Sequence, residues 1–267
     1  MDDSLRRILN QDKDNNILRI TLDDNENKNA LSEIMMKGLI DVFSMASLDS
    51  SIRVIVIAAT GNVFCSGHNL KEITSARKND DLGESYYINL FNLCSSLMQL
   101  IVNCPKPVIA EVRGVATAAG CQLVASCDLA ISSNSSKFAT PGVNLGLFCS
   151  TPMVALSRNV SKKNAMKMLL TGDMISATEA KRISLINDHV PEDELTDTVM
   201  KLSEKIAQKS SMTLKTGKEA FYKQFEMNLS DAYKYTSRVM AENTLKDDAK
   251  EGIESFLEKR DPNWSDR

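Results

Sequence analysis

Three short, unbroken apolar runs restrict what this chain can fold into: Val54-Ile55-Val56-Ile57, Val108-Ile109-Ala110 and Leu129-Ala130-Ile131. A strand with one wet face alternates apolar and polar residues. A run without a polar break has to be covered on both faces, as in a parallel sheet flanked by helices. A helix marked by Leu90, Leu93, Leu97, Leu100 and Ile101 falls between the first two runs, which makes the strand–helix–strand pattern of an α/β protein. Upstream, Leu18, Ile20 and Leu22 alternate with polar residues and predict a half-buried strand. Residues 32–47 read as a helix, with Ser32 as N-cap and Ile34, Leu39, Val42 and Phe43 as its apolar stripe.

After about residue 150 the pattern is helical, with no strand legible. Ser176-Ala177-Thr178-Glu179 has the form of a capping box. Leu195, Val199, Leu202 and Ile206 fall at helical spacing, and residues 211–226, 229–245 and 247–259 also read as helices. The chain therefore divides into a βα core over residues 1–191 and a helical region over residues 192–267. Neither an internal repeat nor a low-complexity linker is present. Residues 76–84 are the best candidate for a mobile loop.

Composition excludes several functions. The net charge of −3 over 267 residues, with no basic domain, argues against nucleic acid as a partner. No apolar run approaches the ~20 residues of a membrane span. The opening Met1-Asp2-Asp3-Ser4 has no basic stretch before an apolar core, and its acidity argues against a transit peptide, so a cytoplasmic location is expected. The six cysteines (Cys65, Cys94, Cys104, Cys121, Cys127 and Cys149) include no Cys-x-x-Cys pair and the only histidines are His68 and His189, so no metal site is expected. Cysteines in apolar runs read as small buried hydrophobes in a reducing compartment.

Two segments carry chemical potential. Val63 to Glu72 includes the turn Ser66-Gly67-His68-Asn69 between a strand and a helix. Gly114 to Leu123 includes Thr117-Ala118-Ala119-Gly120 directly after the strand at 108–112. Small side chains let a ligand approach the backbone closely, and a helix start leaves N–H groups unpaired. Two such ends converging on one carbonyl oxygen would make an oxyanion hole. Either turn alone is also explained by close packing of a strand and a helix.

The ordered set Asn29-Ala30-Leu31, Phe64 to Glu72, Pro107 to Cys121, Cys127-Asp128-Leu129-Ala130, Phe138-Ala139-Thr140-Pro141 and Leu145-Gly146 resembles the crotonase superfamily, the enoyl-CoA hydratase/isomerase family. The likeness runs over nearly the whole chain. It implies a spiral of ββα units with a C-terminal helical region that closes the pocket and takes part in oligomerisation, as a homotrimer or dimer of trimers. It also implies an acyl-CoA or enoyl-CoA thioester as ligand, with coenzyme A entering only as part of the substrate and no separate cofactor. The matching positions place the oxyanion donors at the backbone N–H groups of His68 and Ala119. They place the rest of the ligand against Lys28, Asn29, Ala30, Ser66, Asn69, Leu70, Lys71, Ala118, Gly120, Pro141 and Leu145.

The resemblance breaks at the proton-transfer groups. The family's hydratases use two glutamates, and the matching positions hold Gln122 and Gly142. An amide orients water but exchanges no proton near neutral pH, and glycine has no side chain. Related isomerases carry a carboxylate near Cys149-Ser150, where Leu147 to Pro152 holds no acid. Loss of a general acid or base costs about 10²–10⁴-fold, so hydratase chemistry is expected to be weak or absent. The open readings are a hydratase-class protein by resemblance, a catalytically silent acyl-CoA binder or sensor, and another oxyanion-hole reaction such as thioester hydrolysis or decarboxylation.

Replacement groups are few. Glu111 and Arg113 share a strand face and predict a structural ion pair. Asp128 reads as a structural cap, Glu72 as a solvated helix residue and His189 as a surface or packing residue. The His68 imidazole could shuttle a proton. Cys149 or Ser150 as a nucleophile would need a base, and none is legible. Lys215, Lys218, Phe221, Tyr222, Lys223, Phe256, Lys259 and Arg260 fit amphipathic helix faces, with Lys223 or Lys259 as candidates for a CoA phosphate contact.

Overall fold

The computed structural model describes residues 7–267, so the acidic opening at Met1 to Ser4 lies outside the described residues. The chain starts with an antiparallel hairpin, β1 (Leu9–Asp14) and β2 (Ile17–Leu22), followed by α1 (Glu33–Leu48). Three strand pairs then alternate with helices. The first is β3 (Val54–Ala59) and β4 (Val63–Cys65) with α2 (Leu70–Ala76) and α3 (Glu84–Val102). The second is β5 (Val108–Val112) and β6 (Val115–Thr117) with α4 (Ala119–Ser126). The third is β7 (Leu129–Ser133) and β8 (Lys137–Ala139) with α5 (Ser150–Asn159) and α6 (Lys162–Thr171). The first strand of each pair joins a large sheet and the second a small one, which is the expected ββα spiral.

The large sheet is completed by β10 (Asp188–Val190) in the order β1-β2-β3-β5-β7-β10, parallel apart from β1. The small sheet has the order β4-β6-β8-β9, with β9 (Ile175–Ser176) antiparallel to β8. Strands β9 and β10 correct the expectation of an all-helical stretch after residue 150. They are two and three residues long, too short to set up an alternation, and they form because neighbouring strands offer unpaired backbone groups. Between them lies α7 (Ala177–Arg182). Only half of its capping box forms: Ser176 Oγ accepts the Glu179 N–H at 3.2 Å, while the Glu179 carboxylate takes Arg182 at 2.6 Å on both oxygens.

The unbroken apolar runs have the predicted cause. Ile55 and Ile57 point into the main core with Met35, Leu39, Phe43 and Leu97. Val54 and Val56 point the other way, into a second core with Ile17, Ile109 and Ile131. That second face is closed by α8 (Leu195–Ala207) through Leu195 and Val199, both fully buried. The α1 stripe needs one correction: Met35, Met36, Leu39, Val42 and Phe43 form the buried face, while Ile34 lies one position off it and is 50% exposed.

The remaining helices are α9 (Ser211–Gln224), α10 (Leu229–Thr244) and α11 (Asp247–Glu258). A partly buried knot fastens α9 to the core. Asp128 accepts from Val108 N–H at 2.7 Å, Lys218 Nζ at 2.6 Å and Tyr222 OH at 2.9 Å, and Lys218 also donates to the Ile101 and Lys106 carbonyls at 3.1 and 3.0 Å. Hydrogen bonds to charged groups contribute about 1.5–3 kcal/mol each when buried. Lys218→Met is therefore expected to lower stability by about 2 kcal/mol, read as a lower urea midpoint with an unchanged denaturant slope. Among the described residues no helix is long and apolar enough to cross a membrane.

Candidate functional site

Strands β4, β6 and β8 lie side by side and parallel, so their C-terminal ends deliver three segments to one edge of the small sheet. These are Ser66-Gly67-His68, Ala118-Ala119-Gly120 and Thr140-Pro141-Gly142. Loops beyond the carboxyl ends of parallel strands are where α/β sheets place ligands.

The first two segments touch backbone to backbone. A Cβ built on Gly120 would fall 2.1 Å from the Cys65 carbonyl oxygen, and one on Gly67 would fall 2.9 Å from the Ala118 methyl and 3.2 Å from Ala119 N. Gly67 also has φ +93°, which favours glycine. Most polar backbone groups around the contact are engaged. Leu31 N–H donates to Gly67 O at 2.8 Å, Ser66 N–H to Lys28 O at 3.2 Å, Ala118 N–H to Ala139 O at 2.9 Å and Gln122 N–H to Ala118 O at 3.0 Å. The Thr117 hydroxyl donates to Ser66 O at 3.1 Å. Among the N–H groups that give no bond to a protein group in the described residues are those of His68 and Ala119, together with the next ones along α4 at Gly120 and Cys121. Free donors therefore stand on both sides of the close contact, His68 N–H on the first turn and Ala119 N–H at the start of α4.

The His68 ring faces Phe91 edge-on at 5.4 Å between centroids, and its Nδ1 lies 3.4 Å from the Leu31 carbonyl. Its Nε2 is buried without a partner, and burial holds the imidazole below its ordinary pKa. Gln122 is buried on α4, and its amide oxygen receives only a long 3.9 Å contact from the Cys94 thiol. At Gly142 the space for a side chain is filled: a Cβ there would lie 2.8 Å from Cys149 Sγ and 2.8 Å from the Leu147 carbonyl oxygen. The Gly142 N–H donates to Cys149 Sγ at 3.3 Å. Burial pushes the Cys149 thiol up and that of Cys121 up to about 12, so neither is a ready nucleophile at neutral pH.

Residues matched to the ligand divide into two groups. Lys28, Leu70, Lys71 and Leu145 are exposed, and Ser66, Asn69, Ala118 and Pro141 are half-buried. Asn29, Ala30 and Gly120 are buried. Asn29 is engaged inside the protein: its amide donates to Thr60 O and Val63 O at 3.1 and 2.7 Å and accepts Asp24 N–H at 2.7 Å. It shapes the loop that presents Lys28. Asn69 caps α2 by accepting Lys71 N–H at 3.0 Å.

Three expectations about ionisable groups need correction. Glu111 pairs with Arg19 and Thr196, while Arg113 lies 3.6 Å from Glu192. Residues two apart on a strand share a face, but the longer Arg19 reaches Glu111 from β2. Glu72 is half-buried and accepts Glu33 N–H at 3.3 Å and Tyr86 OH at 3.4 Å, with burial raising its pKa. Lys218 belongs to the Asp128 knot. Lys223 Nζ lies 5.0 Å from the Tyr235 ring centroid. The segment 76–84 is tied by Asp81, which accepts Gly83 N–H and Ser85 N–H at 2.9 and 3.0 Å. A cleft of about 1150 Å³ between the ends of α3 and α4 and helices α5 and α9 is lined by Asp128, Arg158, Lys218 and Tyr222 and includes neither turn. Two features of the site gave no sequence signal: the positive φ at Ala118, and the thiol filling the space beside Gly142.

Comparison with known proteins bears on this arrangement. Residues 12–267 match the family model described as enoyl-CoA hydratase/isomerase. The chain is 49% identical over 253 residues to enoyl-CoA hydratase domain-containing protein 3, mitochondrial, of Xenopus laevis, covering 95% of this chain and 84% of that one. Among solved structures, human enoyl Coenzyme A hydratase domain-containing protein 3 superposes with a TM-score of 0.92 at 46% identity, covering 97% of this chain and 100% of that one. An enoyl-CoA hydratase of Mycobacterium smegmatis superposes with a TM-score of 0.92 at 44% identity, covering 96% and 98%. The Xenopus relative and its counterparts in three mammals are all named mitochondrial, which overturns the expectation of a cytoplasmic location. That expectation used the opening residues alone, and targeting segments are independent of the fold.

Proposed function

The chain belongs to the enoyl-CoA hydratase/isomerase family, and from that premise we propose that it binds acyl-CoA thioesters and polarises their carbonyl with the backbone N–H groups of His68 and Ala119. The observation that carries this reading is that the unpartnered N–H groups of His68 and Ala119 stand beside the close contacts of Gly67 with Ala118 and of Gly120 with Cys65. Each donor of such a pair supplies about 10²–10³-fold when charge develops on the carbonyl oxygen. The exposed Lys28 and Lys71 flank the first turn and suit the phosphates of coenzyme A.

Hydration additionally needs an acid and a base. Gln122 supplies neither, and the Cys149 thiol occupies the space beside Gly142. That filled space favours a second reading, an acyl-CoA binder that turns over little or no enoyl thioester. Thioester hydrolysis or decarboxylation would use the same hole with fewer proton transfers. Residues 1–191 would form the binding core and residues 192–267 the region that closes the pocket and oligomerises. The exposed Leu229, Tyr233, Met240, Phe256 and Leu257 on α10 and α11 suit burial in a homotrimer or a dimer of trimers.

The test measures crotonyl-CoA binding by calorimetry and crotonyl-CoA hydration by loss of enoyl absorbance. Saturable binding is expected, with hydration at least about 10⁴-fold below a two-glutamate hydratase. Gln122→Glu is expected to raise that residual rate by about 10²-fold, whereas Gly142→Glu has no room. Hydration at an ordinary hydratase rate would overturn the argument from the missing carboxylates, and absence of CoA-ester binding would overturn the reading itself.

A further inference from the structure

Several residues near the two turns have positive φ, but they are not equivalent. Lys28 sits at φ 58°, ψ 39°, in the left-handed helical region where most of the uncommon positive-φ side-chain residues are found. Ala118 sits at φ 51°, ψ −119°, outside that region and in backbone territory that favours glycine. Strain of this kind persists only where the surroundings impose it. Here they do. The Ala118 N–H is bound to Ala139 O at 2.9 Å, and its carbonyl accepts the Gln122 N–H at 3.0 Å. Residue 118 is thus held between the end of β8 and the first turn of α4.

The ψ angle of Ala118 orients the peptide plane that contains the Ala119 N–H, a donor with no partner in the protein. The methyl group that makes the conformation costly lies against the other turn, since a Cβ on Gly67 would approach it to 2.9 Å. The same side chain therefore resists rotation of the Ala119 donor and separates it from the turn that carries the His68 donor.

We propose that Ala118 is a positioning residue. Its methyl spaces the two turns and fixes the Ala118–Ala119 peptide so that the N–H groups of Ala119 and His68 address one oxygen atom. This role rests on the acyl-thioester reading given above. Glycine would adopt the same φ and ψ without strain. It would also free the peptide to rotate and the turns to approach, so the strain is the cost of preorganising the donors.

The experiment compares butyryl-CoA with S-butyl-CoA, a thioether of matched chain without the carbonyl oxygen, for the full chain and for Ala118→Gly and Ala118→Ser. Calorimetry gives affinities, thermal melting gives stability, and infrared spectroscopy gives the carbonyl stretch of bound butyryl-CoA. The native chain is expected to prefer the thioester by at least about ten-fold and to lower its carbonyl frequency. Ala118→Gly is expected to melt no lower than native and to keep its thioether affinity. Its thioester preference should fall below about three-fold, with the carbonyl frequency returning toward the free value. Ala118→Ser keeps the Cβ and is expected to retain the native preference.

An Ala118→Gly protein with the native preference and carbonyl frequency would overturn the role of the methyl alone. Parallel loss of both affinities with a lower melting point would overturn it as well, by making Ala118 a general packing residue. A native chain that binds both ligands equally would overturn the oxyanion hole beneath the proposal, and one that binds neither would overturn the acyl-CoA reading.

Discussion

Gly120→Ala is expected to be among the most damaging single substitutions in this chain, abolishing ligand binding and lowering stability by about 3 kcal/mol or more. The added carbon would lie 2.1 Å from the Cys65 carbonyl oxygen, 2.7 Å from the carbonyl carbon and 2.8 Å from the Cys65 Cβ. Two of these atoms are backbone, so no side-chain rotation relieves the clash and α4 has to move away from β4. That movement separates Ala119 from His68, so donor geometry and packing fail together. Gly217 is the control. It lies inside α9 with nothing within 4 Å of a built Cβ, so Gly217→Ala is expected to stabilise by up to about 1 kcal/mol, the helix-propensity difference. Both variants are read by chemical denaturation and by acyl-CoA titration. A Gly120→Ala protein that folds and binds like the native one would refute the close contact on which the site is built.

The contrast between these glycines shows what was legible in the sequence. Gly120 sits in a run of small residues after a buried strand, a pattern that local chemistry explains, and the large-sheet strands β2, β3, β5 and β7 were all readable from side-chain periodicity. The far edge of the small sheet was not. Strand β9 has two residues and exists because β8 offers it a partner, a nonlocal cause that leaves no local pattern. The same holds for chemistry. Gln122 and Gly142 stood out as missing carboxylates, but the filling of the Gly142 space by Cys149, seven residues on, depends on how the intervening turn folds back. Ala118 looks like an ordinary small residue until its backbone angles are known. Ion pairs divided in the same way. Asp128 was read as structural and is, whereas the partner of Glu111 comes from β2, 92 residues away.

That long-range pair leads to the second large effect. Glu111→Ala is expected to destabilise by about 3–5 kcal/mol. The Glu111 carboxylate is 4% exposed. It accepts both terminal guanidinium nitrogens of Arg19, Nη2 at 2.7 Å, and the Thr196 hydroxyl at 2.8 Å. Its removal leaves a guanidinium 23% exposed and a hydroxyl without their acceptor. The pair joins β2 to β5 across β3 and holds the first turn of α8 to the sheet. An uncompensated charge is costlier than the ion pair is stabilising, so Arg19→Met combined with Glu111→Met is expected to recover most of the loss. A double-mutant cycle on Arg19→Met, Glu111→Met and their combination then measures the coupling directly. Function should follow stability here, because β5 leads through Gly114 into β6 and then to Ala118 and Ala119. Where Glu111→Ala remains folded at low temperature, its acyl-CoA affinity is expected to fall as β5 loosens, and the double variant should restore affinity and stability together. Recovery of stability without recovery of affinity would show that the carboxylate acts on the site by a route other than the position of β5.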